Sequence, residues 1–429
     1  MFRIYSFLLA IGFLVLMPVF FFRREKYLSG IKERLGDVPP SDPSGGEVIW
    51  LHCVSVGEVN AARPLVDGLS REHPNRQVVV STTTRTGQEL ARKIFDGKVR
   101  TVFYFPFDFA FCVRKALERI KPSAVLLMET EIWFNFIREA SLSGAKVALV
   151  NGRLSHRSMT RYELIQGFLL YLFPFIDLAV MQSQRDAERF VRLGMDESLV
   201  KVGGNLKFDR DGAESNGESI DSFAQRFGFA DGRKVVLAAS THSPEERILI
   251  ESFLNLRGHI PDARLVIAPR HPERFREVIG LANDSGLKVS VRSATAIDSD
   301  READLIVIDS IGELGSLYPL ADVVFVGGSL IPHGGQNVLE PAAASRAIVT
   351  GPHTYNFSSV VEALESRGAI VRLHPAMSDA YPSMLAERFN ELLNDEQKRI
   401  DMGSKALELI TENKGATART LELLKPVLD

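Results

Sequence analysis

From residue 47 onward, short apolar runs alternate with stretches of helical periodicity. Glu47–Val56, Gln77–Thr82, Val99–Phe105, Ser123–Met128 and Ala145–Val150 read as strands. In them apolar residues fill consecutive positions over a strand's length, as they do in a sheet covered on both faces. Between them, Val59–Glu72 and Phe111–Ile120 carry the spacing of amphipathic helices. A second alternating series follows, with strands at Lys234–Ala239, Arg264–Ala268, Leu305–Ile308, Asp322–Val326 and Ala347–Thr350 and helices at Ala386–Leu393 and Lys405–Ile410. Ser243-Pro244-Glu245-Glu246 has the cap, first-position proline and acidic first turn of a helix start. Such alternation predicts the α/β class with two doubly wound, parallel, Rossmann-like sheets, whose ligands sit beyond the carboxyl ends of the strands.

Two stretches break the pattern. Ile4–Phe22 is uncharged and just long enough to cross a hydrocarbon core of ~30 Å. Large phenylalanines stand where a signal-peptide cleavage site needs small residues, so an uncleaved membrane anchor is expected. Arg23, Arg24 and Lys26 follow and are expected to keep the next domain cytoplasmic. Asp209–Ser222 is almost free of apolar residues and reads as a linker. The expected organisation is an anchor over 1–26, a first domain over 27–210, a linker over 211–222 and a second domain over 223–429.

Composition adds bounds. A chain of 429 residues suits two domains, and 45% hydrophobic with 24% charged residues is a globular balance. Cys53 and Cys112 are far apart and form no CxxC, which argues against a disulfide scaffold or zinc knuckle. Residues 1–210 hold 29 basic against 22 acidic side chains, a surplus suited to an anionic surface or substrate. Nothing in the pattern asks for nucleic acid. No GxGxxG follows an early strand, which disfavours a dinucleotide dehydrogenase.

The chemistry gathers at predicted strand ends. Val323–Val326 is a strand, the pairs Gly327-Gly328 and Gly334-Gly335 bracket a loop, and Gln336-Asn337 is expected to open a helix. Free backbone N–H groups and a positive dipole end would make this a phosphate seat. Glu340, one turn on, is placed to accept from ribose hydroxyls. Arg270 follows the strand of residues 264–269, where a guanidinium can grip phosphate through two parallel hydrogen bonds. Glu58 ends an apolar strand and begins a helix. A half-desolvated carboxylate there suits a general base, although a dipole-favoured helix N-terminal Glu has the same signature. Glu129 and Glu131 follow another strand, and one of them is expected to face the site. Asp209–Asp211 and Asp298–Asp300 match the DxD pattern but lie in polar, loop-like segments, so neither a metal nor any other cofactor is expected.

Nine strings in order resemble the 3-deoxy-D-manno-octulosonic acid (Kdo) transferases: His52–Glu58, Ser81–Gly87, Glu129–Asn135, Asn151–Ser155, Gly204–Asp209, Ala268–Phe275, Gly312–Leu314, Gly327–Pro341 and Gly351–Phe357. The resemblance spans about residues 30 to 425. It implies a GT-B fold, two Rossmann-like domains facing a cleft, and transfer of Kdo from CMP-Kdo to a lipid A precursor at the inner membrane. It assigns Glu58 as general base and prefers Glu129 over Glu131. Lys207 becomes a cation for the departing phosphate. The donor seat combines Pro269, Arg270, Gly312, Glu313 and Leu314 with Gly334, Gly335, Gln336, Asn337, Val338, Leu339 and Glu340. Gln336 stands where the family's commonest loop has histidine, and Phe134 where it usually has proline. Aromatic runs at 103–111 and 168–175, with Arg153, Arg157 and Arg161, are expected to divide between core packing and a lipid-facing surface. The alternatives are a GT-B transferase using a UDP-sugar and a non-catalytic lipid-binding protein.

Overall fold

The apolar runs form two parallel sheets. In the computed structural model, which describes residues 1–22, 29–42, 44–154, 156–209, 217–229 and 231–429, fourteen strands are present among the described residues. Side-chain description also leaves out 16–22, 156–157 and 217–219. The first sheet holds β1 (Val48–Cys53), β2 (Gln77–Thr82), β3 (Thr101–Tyr104), β4 (Ala124–Met128), β5 (Lys146–Gly152), β6 (Leu178–Met181) and β7 (Val200–Val202), in the order 3-2-1-4-5-6-7. The second holds β8 (Val235–Thr241), β9 (Arg264–Pro269), β10 (Val289–Val291), β11 (Leu305–Val307), β12 (Val323–Val326), β13 (Ala347–Thr350) and β14 (Ile370–Arg372), in the order 10-11-9-8-12-13-14.

Alternate residues of the first sheet feed two cores. Val48, Trp50, Val79 and Phe103 point to one face, where Trp50 packs edge-on to Phe103 and Phe136 with ring centres 5.2 and 4.9 Å apart. Ile49, Leu51, Val78 and Val80 point to the other, under the helix Val56–Glu72 and the C-terminal helix Ala416–Leu428. Those two helices approach closely: a Cβ on Gly68 would stand 2.4 Å from Leu421 Cδ1. Asp209 fixes the start of the C-terminal segment by accepting from Gly415 N–H (2.7 Å) and Thr417 N–H (2.5 Å). Compact units therefore run over 1–210 with 413–429, and over 211–412. The sequence reading carried the second domain to 429, because local periodicity does not tell which sheet a terminal helix covers. Residues 210–216 lie outside the described set, and the rest of the expected linker is already helical in Gly217–Phe227.

The expected anchor is a helix, Phe2–Phe22, docked on the first unit. Tyr5 Oη donates to buried Asp108 Oδ2 (2.8 Å), Phe2 packs edge-on to Phe175, and Phe13 to Phe107 and Phe109. Ile4, Phe7, Leu8, Ile11, Leu14 and Val15 form an exposed stripe on the opposite face. Among the described residues no helix is long and apolar enough to cross a membrane, so the spanning anchor is not seen. Pro18's side chain and the cluster Arg23, Arg24 and Lys26 lie outside the described residues.

Gly327, just past β12, lies against the end of β8: an ideal Cβ would sit 2.5 Å from Ser240 O and 2.7 Å from Thr241 Cα. Both are backbone atoms and cannot swing aside. Gly327→Ala is expected to cost about 2–3 kcal/mol and to lower the melting temperature of the purified protein. An unchanged melting curve would show that this approach is loose.

Candidate active site

In each sheet the strand order reverses beside the first strand, and the flanking strand ends are where an open α/β sheet offers a crevice. In the first sheet these strands are β1 and β4. Past β1, Ser55 holds the N-cap position of the helix that begins at Val56 without a side-chain cap bond, and Glu58 occupies its first turn. The Glu58 carboxylate turns back: Val54 N–H donates to Oε2 (2.7 Å) and Ser55 Oγ to Oε1 (3.0 Å). Glu58 is 5% exposed. Burial first, and then the negative charge of Glu129, push its pKa up to about 8. Capping and basicity thus coexist in one side chain, where the sequence left them as alternatives.

Past β4, Glu129 takes a left-handed backbone with φ 54°, unusual for a non-glycine residue and kept where surroundings enforce it. Its Oε1 accepts from Lys207 Nζ at 2.7 Å. Lys207 rides on the single turn Leu206–Asp209, pinned by the Leu206 N–H bond to Asn151 Oδ1 (3.0 Å). Lys207, the cation expected for the leaving phosphate, is therefore paired with Glu129 within this unit. Glu131 is half-buried, and its pKa is raised by burial and then by Glu129. Both carboxylates of the pair thus belong to the neighbourhood of Glu58.

Four buried polar atoms near this edge lack a partner among the described residues: His52 Nε2, Thr83 Oγ1, Trp133 Nε1 and Asn151 Nδ2. The His52 ring, fully buried and stacked on Phe105 at 3.8 Å, is held neutral because burial pushes its pKa down to about 3. Sequence reasoning passed over these groups singly. Their common signal is position, each lying in or just after a strand of one sheet. Buried polar atoms without partners mark a place where a polar ligand can bind.

In the second sheet the reversal falls between β8 and β12. Part of the phosphate seat expected there is already taken up by the protein itself. Glu245, the first residue of the helix Glu245–Arg257, is fully buried, and its carboxylate accepts from four backbone N–H groups: His242 (2.9 Å), Gly328 (2.7 Å), Ser329 (2.9 Å) and Leu330 (2.9 Å). Gly335 N–H donates to Gly328 O and Gln336 N–H to Gly327 O. These loop donors point into the protein's own structure. Positive φ at Gly328, Gly334 and Gly335 permits that folding of the loop. The helix starts at Leu339 rather than Gln336 and ends at Ala343, too short for a strong dipole. Its N-cap is Val338, and Val338 and Leu339 are buried apolar filling. Asn337 Nδ2 donates to Glu340 Oε1 (2.9 Å) and Tyr318 Oη to Glu340 Oε2 (3.1 Å), which leaves each carboxylate oxygen able to accept once more.

Charged side chains remain. Pro269 ends β9, and Arg270 is exposed, its backbone N–H donating to Thr241 O (3.0 Å). Gly312 turns the chain with φ 87°, Leu314 begins a four-residue helix, and Glu313 is gripped by Arg292 (2.8 Å). Glu313 is therefore structural in the first instance. Of the DxD strings, Asp209 holds the C-terminal helix, Asp300 accepts from Arg226 (2.9 Å) and Ser290 (2.6 Å), and Asp211 lies outside the described residues. Among the described residues no group of three or more His, Cys, Asp or Glu is placed to hold a metal ion.

The family profile described as 3-deoxy-D-manno-octulosonic-acid transferase (kdotransferase) matches residues 29–210. A 3-deoxy-D-manno-octulosonic acid transferase of Haemophilus influenzae is 33% identical over 404 residues, covering 94% of this chain and 92% of its own. One of Bordetella pertussis is 31% identical over 385 residues, covering 88% and 86%. Among solved structures, the C-terminal CMP-Kdo binding domain of WaaA from Acinetobacter baumannii is 27% identical, with a TM-score of 0.36, over 48% of this chain and 97% of that one. With identity above 30% sustained along nearly the full length of two curated relatives, the chain belongs to the 3-deoxy-D-manno-octulosonic acid transferase family.

Proposed function

We propose that this Kdo transferase takes its sugar from CMP-Kdo and places it on a hydroxyl of a lipid A precursor, with Glu58 as the general base. The observation that carries the reading is the Glu58 carboxylate itself, buried at the strand-order reversal with its pKa raised to about 8. A base of that strength can take the acceptor's proton near neutral pH. In the step, the acceptor O–H proton passes to Glu58 as the acceptor oxygen bonds to the anomeric carbon. The bond from that carbon to the phosphate oxygen breaks, and its electron pair leaves on CMP. Glu129 keeps negative charge beside Glu58 and so supports its basicity, while Lys207 balances Glu129. Arg270 meets the phosphate in the second unit, and Glu340 with Asn337 faces the ribose. Both units serve one GT-B reaction in this reading, the first acting on the acceptor and the second on the donor.

The first unit also carries the membrane contact in this proposal. The docked helix half-buries Phe2, Tyr5 and Ser6 against the domain and turns its apolar stripe outward, with Phe111 (65% exposed) stacked on Phe109, which Phe13 of the helix also touches. A helix tied to its domain over three turns suits insertion along the cytoplasmic surface of the inner membrane better than a crossing. Replacing Phe7, Leu8 and Leu14 together by Ser is expected to cut binding to anionic lipid vesicles at least tenfold with the melting temperature kept. Equal vesicle binding would remove this stripe from the membrane contact.

The donor is tested by thermal shift. CMP is expected to raise the melting temperature more than UDP at equal concentration. Protection by UDP alone would point instead to a UDP-sugar transferase, and protection by neither would reject nucleotide-sugar chemistry.

A further inference from the structure

Three imidazoles converge at the strand ends of the second unit. The His242 ring lies 4.2 Å from that of His333 and 5.0 Å from that of His271, centre to centre. His242 follows β8, His271 follows β9, and His333 lies in the loop after β12, so three separate strands deliver them. Gln336 Nε2 stands 3.0 Å from His242 Nε2, the arrangement of an amide N–H donating to an unprotonated ring nitrogen. His242 is buried (7% exposed) and its pKa is lowered to about 4, by burial first and then by His333, His271, Arg270 and Arg274.

The two buried carboxylates of the adjoining helix, Glu245 and Glu246, are engaged. Glu245 accepts the four backbone N–H groups described above, and Glu246 accepts from Arg274 (2.6 Å) and Thr241 (2.8 Å). Arg270 is exposed beside the rings. Glu273, itself exposed, reaches His271 (Nδ1 to Oε1 3.7 Å), whereas the charged groups acting on His242 among the described residues are His333, His271, Arg270 and Arg274, all of them potential cations. Because the N–H groups of Gly328, Ser329, Leu330, Gly335 and Gln336 are turned inward, a phosphate arriving beside them meets side chains in their place.

We propose that His242 is the proton-uptake group of the nucleotide-phosphate site, with Gln336 as its positioning residue. A dianionic phosphate seated at Arg270 draws one proton from solvent onto the ring. The Gln336 amide then turns to present its oxygen to the imidazolium. An amide serves both states because it can donate through nitrogen and accept through oxygen. The proposal rests on the nucleotide reading above and adds which residue answers the phosphate charge.

The test is calorimetry of CMP binding, and of UDP binding, to the full chain at pH 7.5 in two buffers of different ionisation enthalpy. At that pH the phosphate, with its second pKa near ~6, is already a dianion and does not itself supply the signal. Wild type is expected to take up about one proton per CMP bound, as a neutral imidazole becomes charged. His242→Gln is expected to abolish the uptake and weaken binding about tenfold, and Gln336→Leu to reduce the uptake while CMP still binds. CMP binding without proton uptake in wild type, or undiminished uptake in His242→Gln, overturns the proposal. Uptake with UDP but no CMP binding keeps the proposal and rejects the CMP donor; binding of neither rejects both. Should His242→Gln fail to fold, the ring C–H resonance of His242 in wild type decides. It must move to the imidazolium position on adding CMP, and a signal that stays neutral overturns the proposal.

Discussion

Glu58→Gln is expected to lower transfer by about 10²–10⁴-fold, the range that a positioned base supplies, while the fold and CMP binding persist. Gln fills the same volume, and its amide oxygen can still accept from Val54 N–H, so the helix start keeps its cap. Only proton acceptance is lost. The wild-type pH profile should carry the same signature. With the carboxyl titrating at about 8, kcat/KM is expected to rise about tenfold per pH unit well below that midpoint and to level off above it. Stability should run the other way. The folded pKa lies above the ordinary carboxylate value of 4.5, so the native state gains by holding this proton. That gain is complete below pH ~4.5 and disappears as pH rises through about 8. Glu58→Gln should therefore match wild type in melting temperature under acid conditions and exceed it at pH 8.5. A variant that melts early at every pH, or that keeps most of its activity, would make Glu58 a cap and nothing more.

The second large effect is expected at Glu245. Its carboxylate is 0% exposed and collects N–H groups from His242, Gly328, Ser329 and Leu330. Removing it strands several buried donors, each costing on the order of 1–3 kcal/mol when left unmet. Water entering the space left by the side chain would recover part of this. Glu245→Ala is expected to destabilise the second unit by about 3–5 kcal/mol, read as a lower unfolding midpoint in urea. CMP protection should vanish with it, since the 327–336 loop and His242 lose their common tie. Glu245→Gln keeps one accepting oxygen and should fall between Ala and wild type. If Glu245→Ala unfolds at the wild-type midpoint, the loop holds its shape through its glycines alone.

Particular residues explain what could be read from the sequence. Glu58 was legible because the apolar run of β1 ends abruptly in a Ser-Val-Gly-Glu helix start, which places its side chain at a strand's carboxyl end. Arg270 was legible on the same grounds after β9. Glu245 was not, because its signature is that of any acidic first turn, and its partners at 328–330 lie more than eighty residues away. His242 obeys the rule that found Glu58, following β8 directly, but it falls between the predicted strand end at Ala239 and the predicted cap Ser243, and a single histidine there carries no local signal. Edge strands β7, β10 and β14 are three residues each, too short to leave a periodic trace. The Tyr5–Asp108 bond joins positions 103 apart inside what reads as a purely apolar run, so docking of the first helix had no local signal. Of the aromatic cluster, Phe103, Tyr104 and Phe105 are buried core and Phe111 is exposed, the division the composition suggested but could not assign residue by residue.

The most direct measurement is the mass of the product lipid. Purified protein is incubated with CMP-Kdo and a tetra-acylated lipid A precursor in mixed micelles, and the lipid is weighed by mass spectrometry beside a Glu58→Gln control. The account predicts a lipid heavier by whole Kdo units, with CMP released in step, and no heavier lipid from the control. An acceptor of unchanged mass with wild type, or equal conversion by both proteins, would contradict it.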